Sequence, residues 1–335
     1  LGGVDFALAL LSAAPGQTTG ALANARWVAL QASAAEVAVV GLGGLNLEAS
    51  GIMVDINLVS GLQDGEVAAK RVVDFQRKSL GVVTGTGTTS TLTLDGAAGE
   101  RVRASGSFEL EVADYLHVSG NMGFEKSTRE LKLDGGNTVT VDMLAVGGSG
   151  LSAFAGVNGP YRTGPDANGD GRPDGINPDA IGFVLEDMSF GLALMSEQGA
   201  GSRQWSALSA EASKVAVVGV QGITLSVASL AVEINTAAAD GSVLDFKRTP
   251  LVIGTGNSTS MSLALDGSVG PVVRVVGDVE IAIGDNLRLS GRMGFEQGRQ
   301  AVTLSDGTTV QANVMRVSGA GVDGFAGSSS GLGFA

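Results

Sequence analysis

The sequence predicts an all-β fold, with two homologous antiparallel-rich β units stacked into an elongated β-solenoid or β-sandwich-like rod. Three observations carry that expectation. Apolar and polar residues alternate with a period of two, short Asp/Asn/Gly clusters separate the alternating runs, and the second half of the chain repeats the first.

The duplication organises everything else. Trp27 to Asn57 lies over Trp205 to Asn235 with about half the positions identical. From Asp74-Phe75 and Asp245-Phe246 onward the displacement is a constant 171 residues. It carries Leu94-Asp95-Gly96 onto Leu265-Asp266-Gly267, Met122-Gly123-Phe124-Glu125 onto Met293-Gly294-Phe295-Glu296, and Phe154-Ala155-Gly156 onto Phe325-Ala326-Gly327. Residues present in the first half alone are polar and turn-like, as at 15–20 and 63–66, and read as surface loops. The division is therefore β unit 1 over 1–156, an insertion over 157–180 and β unit 2 over 181–335. Gly333-Phe334-Ala335 followed by Leu1-Gly2-Gly3-Val4-Asp5-Phe6 reproduces the run from Gly182 to Phe190. A neighbouring copy is therefore expected head to tail, as a covalent tandem or by assembly.

Along the chain, Ala21 to Val37 has the alanine content of a helix, yet Val28, Leu30, Ala32 and Ala34 alternate and glycines follow closely, so strand is expected. Ser107 to Val112 reads as a half-buried strand with Phe108, Leu110 and Val112 on one face, and the second copy keeps Val279, Ile281 and Ile283 there. Leu116/Val118, Met122/Phe124, Leu131/Leu133 and Val139/Val141 continue the alternation and are matched by Leu287/Leu289, Met293/Phe295, Val302/Leu304 and Val310/Ala312. Between the strands, Ala113-Asp114, Asp134-Gly135-Gly136-Asn137, Gly284-Asp285-Asn286 and Asp306-Gly307 supply residues that tolerate positive φ. Such spacing favours an antiparallel meander over βαβ crossovers.

Composition narrows the function. Lys and Arg number 21 against 34 Asp and Glu, a net charge of −13 that repels phosphate backbones, so no nucleic acid partner is expected. There is no cysteine, which excludes thiol catalysis, disulfides and thiolate metal sites, and His117 is the single histidine. No apolar run approaches the roughly 20 residues of a membrane-spanning helix, so no membrane span is expected. Hydrophobic residues make up 44% of the chain, which excludes disorder.

The insertion holds the one motif with chemistry. Asp166, Asn168, Asp170 and Asp174 occupy positions 1, 3, 5 and 9 of a loop with Gly171 at position 6, where a chain wrapping Ca²⁺ must bend. Arg172 would add its backbone carbonyl, and Asn177 or Asp179 the remaining oxygen. Position 12 is Asn177 where an EF-hand has glutamate, and Pro173, Gly175 and Pro178 forbid the flanking helices. The competing reading is a solvated cluster of Asx turns without metal.

Other candidates carry less. Tyr115 and His117 near Asp114 suggest an acid–base pair, but the second copy has Asn286, Arg288 and Asp285 there, and a surface histidine is expected. Gly85-Thr86-Gly87-Thr88-Thr89 lacks the lysine and strand-to-helix context of a phosphate cradle and reads as a loop. Trp27 and Trp205 are expected as core plugs, with a glycan-stacking platform as the alternative. Asp74, Asp245, Glu125 and Glu296 recur as isolated carboxylates, expected to cap turns or meet Arg77 and Arg248. No Ser–His–Asp set is found, so no enzyme is expected.

Taken over its whole length, through units of the form VDF…TLDG…SGxMGFE…FAG, the chain resembles the tandem β-repeat regions of very large bacterial cell-surface and secreted proteins, adhesin-like or matrix-forming. Its Asp-Gly loop is similar to the aspartate-rich calcium repeats of thrombospondin type 3. The resemblance implies an extracellular or cell-surface location and a non-enzymatic structural role in a fibre, stalk or adhesin. Its alternative is a glycan-binding surface module using Trp27 and Trp205.

Overall fold

The computed structural model describes residues 2–14, 20–39, 44–62, 71–169, 172–199, 203–327 and 333–334. The expected loops at 15–19 and 63–66, and Asp170 of the insertion, lie outside the described residues.

The alternating segments form strands. The first half supplies β1 (Gly2–Ser12), β2 (Arg26–Val39), β3 (Leu45–Ser60), β4 (Leu80–Gly85), β5 (Thr88–Leu92), β6 (Arg101–Val112), β7 (Leu116–Lys132) and β8 (Thr138–Val157). The insertion contributes two-residue strands β9 (Arg162–Thr163) and β10 (Gly175–Ile176). The second half supplies β11 (Ile181–Glu197), β12 (Gln204–Val218), β13 (Ile223–Asn235), β14 (Leu251–Gly256), β15 (Thr259–Leu263), β16 (Val272–Ile283), β17 (Leu287–Thr303), β18 (Thr309–Gly327) and the short β19 (Gly333–Phe334). Among the described residues there is no α-helix. The alanine-rich stretch is β2, because pairing with β1 and β3 along its length outweighs alanine's modest helical preference.

Thirteen strands make one antiparallel sheet in the order β1-β2-β3-β6-β7-β8-β11-β12-β13-β16-β17-β18-β19, which is not closed into a barrel. It is a meander: neighbouring strands of the sheet follow one another in the chain, apart from the β4–β5 and β14–β15 hairpins and the insertion between β8 and β11. Those two strands pair directly from Val157–Ile181 to Val141–Glu197, so the sheet crosses the boundary between the halves without a break. No coil-on-coil stacking of a solenoid appears among the described residues, and none of their helices is long and apolar enough to cross a membrane.

A line of irregularities crosses this sheet. The register shifts at Ser50/Met53, Ser119/Asn121, Leu185/Met188, Ala228/Ala231 and Ser290/Arg292. Left-handed backbone sits along the same line, at Gly51, Gly150, Asp187, Ser229 and Gly321, with φ between 50° and 59°. Each bulge adds one residue to one strand of a pair; at Ser119/Asn121 the extra residue is on β8, and β7 runs against β6 without a shift. Met122 and Phe124 lie on the face of β7 away from the second half's hairpin and are exposed, while Gly123 between them is buried.

Gly123 is buried because a hairpin lies on it. β14–β15 folds back over β6, β7 and β8 of the first half and over β11 and β12. Its Leu251, Ile253 and Leu263 join Val139, Val141, Met143, Ala193, Met195 and Trp205 in the main core, with Leu244, Phe246 and Leu265 beneath the connecting turns. Fully burying Leu263 alone stabilises by about 1.5–3 kcal/mol. The hairpin backbone approaches so closely that a Cβ on Gly147 would sit 2.5 Å from the Gly254 carbonyl oxygen. The counterpart hairpin β4–β5 lies at the sheet's edge, where β5 rests on β1 and β2 and a smaller core gathers Ala7, Ala29, Phe75, Leu92 and Leu94.

The recurrent carboxylates close turns. Asp74 accepts from the backbone N–H groups of Gln76 and Arg77 and pairs with the Arg77 guanidinium at 3.0 Å. Asp245 accepts from the N–H groups of Lys247 and Gly267. Asp266 caps the 3₁₀ turn Gly267–Val269, and hydrogen bonds from Lys247 and Ser268 hold its carboxyl down at about 2. Glu125 and Glu296 sit mid-strand instead and meet neighbouring arginines, Glu125 with Arg129 at 2.7 Å and Glu296 with Arg274 at 3.0 Å.

Candidate functional site

The insertion leaves β8 at Val157, folds over the outer ends of β8 and β11, and returns at Ile181. What pins it is apolar: Tyr161 and Ala180 are buried with Phe154 of β8 and Val184 of β11. Tyr161 also brings polar groups inward. Its hydroxyl accepts from Lys214 Nζ at 3.1 Å, Lys214 lies 3.6 Å from Glu186, and Arg162 pairs with the same carboxylate. Glu186 is buried, and two cations compensate the cost of its burial. This network went unseen in the sequence, because residue 186 corresponds to Gly2 in the first half and the duplication offers no signal there.

The candidate calcium ligands fall into two groups. Asp174 Oδ2 accepts from the Ala167 N–H at 2.8 Å and its Oδ1 from Asn168 Nδ2 at 2.9 Å, while Asp166 Oδ1 accepts from the Gly169 N–H at 2.7 Å. Asp166, Asn168 and Asp174 are thus gathered on one small loop, with Asp170 outside the described residues. Here Asn168 presents its amide NH₂ to Asp174, and a bound cation would take the amide oxygen instead. Arg172 reaches away to Asp187 at 2.8 Å. Asn177 and Asp179 belong to a separate turn, in which Asn177 Nδ2 donates to the carbonyls of Asn158 and Pro160 and its Oδ1 accepts from the Asp179 N–H. Of the six predicted ligands among the described residues, the structure therefore brings together three. Among the described residues, no three His, Cys, Asp or Glu side chains group closely enough to hold a metal.

Beside the insertion lies a cleft of about 330 Å³ lined in part by Glu111, His117, Phe154, Tyr161, Arg162 and Glu186. His117 turns Nδ1 toward Glu111 Oε1 at 3.3 Å, and its buried Nε2 has no hydrogen-bond partner. Tyr115 is exposed and apart from it, so the two do not form a pair.

The remaining candidates have structural places. Trp205 is 3% exposed, donates from Nε1 to the Ser242 carbonyl and lies under the Arg203 guanidinium, so it presents no open face for a sugar ring. Trp27 is half-buried and donates to the Arg71 carbonyl at 2.7 Å. The segment from Gly85 to Thr89 is the tip of the β4–β5 hairpin. No family model, curated protein or solved structure matches the chain.

Proposed function

We propose that the chain is a non-enzymatic structural repeat of an extracellular or cell-surface fibre, stalk or adhesin, built on an extended antiparallel sheet and stiffened by Ca²⁺ in the 166–174 loop. The observation that carries this reading is the unbroken pairing of β8 with β11, reinforced by a hairpin of the second half clamped over strands of the first. Such a sheet transmits load through backbone hydrogen bonds and continuous packing and needs no binding pocket. Asp166, Asn168 and Asp174 would hold the ion with Asp170, and the ion would supply the cross-link that hydrogen bonds alone provide here. A loop with this ligand set suits the millimolar calcium of extracellular modules.

Two measurements test the reading. Calorimetric titration is expected to show Ca²⁺ binding that Asp174→Ala abolishes, with calcium slowing proteolysis between residues 158 and 180. Absence of both removes calcium from the proposal. Electron microscopy of native material is expected to show threads, and discrete globular particles would overturn the structural role.

A further inference from the structure

The seam between the halves shows what each outer edge of the sheet is shaped to receive. Across the seam, β8 and β11 pair Leu144 with Leu194, Val146 with Leu192, Gly148 with Phe190 and Leu151 with Met188. At one outer edge, β18 carries Met315, Val317, Gly319 and Val322 at the positions of Leu144, Val146, Gly148 and Leu151. At the other, β1 carries Leu10, Leu8, Phe6 and Val4 at the positions of Leu194, Leu192, Phe190 and Met188. The edge residues are more open than their seam counterparts: Val317 is 78% exposed, Met315 71% and Phe6 59%, where Val146, Leu144 and Phe190 are half-buried, and Leu10 is 74% exposed against 44% for Leu194.

We infer that a second copy of this chain docks its β1 along β18 of the first, in the register of the β8–β11 seam. Met315 then lies opposite Leu10, Val317 opposite Leu8, Gly319 opposite Phe6 and Val322 opposite Val4. This rests on the scaffold reading and supplies its partner.

Three features outside those four pairs fit the same register. In the seam the Phe190 ring covers Gly148, where a Cβ would sit 2.6 Å from Phe190 Cε1; at Gly319 the same added atom meets only Val322, leaving room for a ring from outside. β19 already pairs Gly333 with Gly327 and Phe334 with Ala326, which is how Gly182 and Phe183 of β11 meet Gly156 and Ala155 of β8. Finally, β4 meets the sheet chiefly at its edge strand β1, whereas its counterpart β14 rests on β6, β7, β8 and β11. Leu80 is accordingly 37% exposed where Leu251 is 8% exposed.

The surface that would take β4 is also present. A groove of about 1010 Å³ lies at the β16–β18 end, and its Arg274, Glu296, Gln300 and Val314 correspond to Arg103, Glu125, Arg129 and Met143 beside β14. The hairpin from Leu80 to Leu92 carries no charge. Two positions beneath the hairpin carry larger side chains than in the seam: Arg316 replaces Ala145 and Ser318 replaces Gly147. The hairpin therefore seats less closely on this groove, and the strand edges set the register.

Because the chain has no cysteine, single cysteines report the contact. Directly opposed residues of antiparallel strands stand close enough for a disulfide. Mixing Val317→Cys with Leu8→Cys under mild oxidation is expected to give a disulfide-linked heterodimer, at least tenfold more than Val317→Cys with the off-register Leu11→Cys. No mixed product, equal product off register, or a comparable dimer from Val317→Cys alone, which signals symmetric β18–β18 pairing, overturns the inference. Light scattering on the unsubstituted chain is expected to give a mass that rises with concentration. A monomeric mass throughout overturns the inference even if a cysteine variant does not fold. It would leave calcium binding and the non-enzymatic role standing, since those are read from other measurements.

Discussion

At the scale of single residues, the fold depends on where side chains are missing. Gly123 and Gly147 lie under the β14 backbone, and Gly254 and Gly256 face them from the hairpin, so two layers of main chain touch with nothing between. Gly147→Ala forces a methyl group to within 2.5 Å of the Gly254 oxygen, and neither backbone has room to yield. The expected cost is about 1–3 kcal/mol, the range for overpacking a filled core. Urea unfolding followed by tryptophan fluorescence should show it as a lower midpoint with an unchanged slope. Gly135→Ala, whose added Cβ has open space around it, is the control and should cost less than half as much. Equal midpoints for the two variants would show that the hairpin does not approach as closely as described. This constraint was invisible in the sequence, where nothing local marks Gly123 or Gly147 as covered. The partner that makes them necessary lies more than a hundred residues away.

At the scale of elements, most of the strands were legible and their facing was not. Alternation marks β6, β7 and β8, and Asx-Gly clusters mark their turns, because those signals are local. The alternation of Leu116, Val118, Met122 and Phe124 is continuous along β7, but nothing local says that a distant hairpin covers the opposite face, at Gly123. Of the hairpins only the tip at Gly85–Thr89 was legible, as a loop, since nothing local says that 80–92 and 251–263 fold back onto the sheet. Their settings also differ, and a measurable difference follows. The inward residues of β14 are buried and those of β4 are partly open, so local opening of β4–β5 exposes less apolar surface and costs less. Hydrogen exchange read by mass spectrometry is expected to be at least tenfold slower over 251–263 than over 80–92 in dilute protein. Indistinguishable rates would mean that β14 gains nothing from its seat on β7 and β8. Under conditions where copies associate, the two segments should converge.

At the scale of the whole molecule, surface and topology point to one consequence. The accessible surface is 18713 Å², against roughly 12,700 Å² expected of a compact monomer of this mass. The excess is that of a single extended sheet whose hairpins cover only part of its faces. Open sheets beyond about ten strands usually curl or split, and long apolar edges invite further pairing. In the seam register, β19 and β1 of the next copy fall on one strand position, so the thirteen strands in order reduce to twelve per added copy. At about 4.8 Å between strands, each copy advances the assembly by about 58 Å, and the duplication inside the chain marks half of that, about 29 Å. Strands would lie across the long axis. Threads assembled from the purified chain should therefore show an axial period near these values by electron microscopy, with a reflection near 4.8 Å along the axis in aligned samples. Threads whose strands run along the axis would require contacts through the faces of the sheet, and the edges would then have no part in building them.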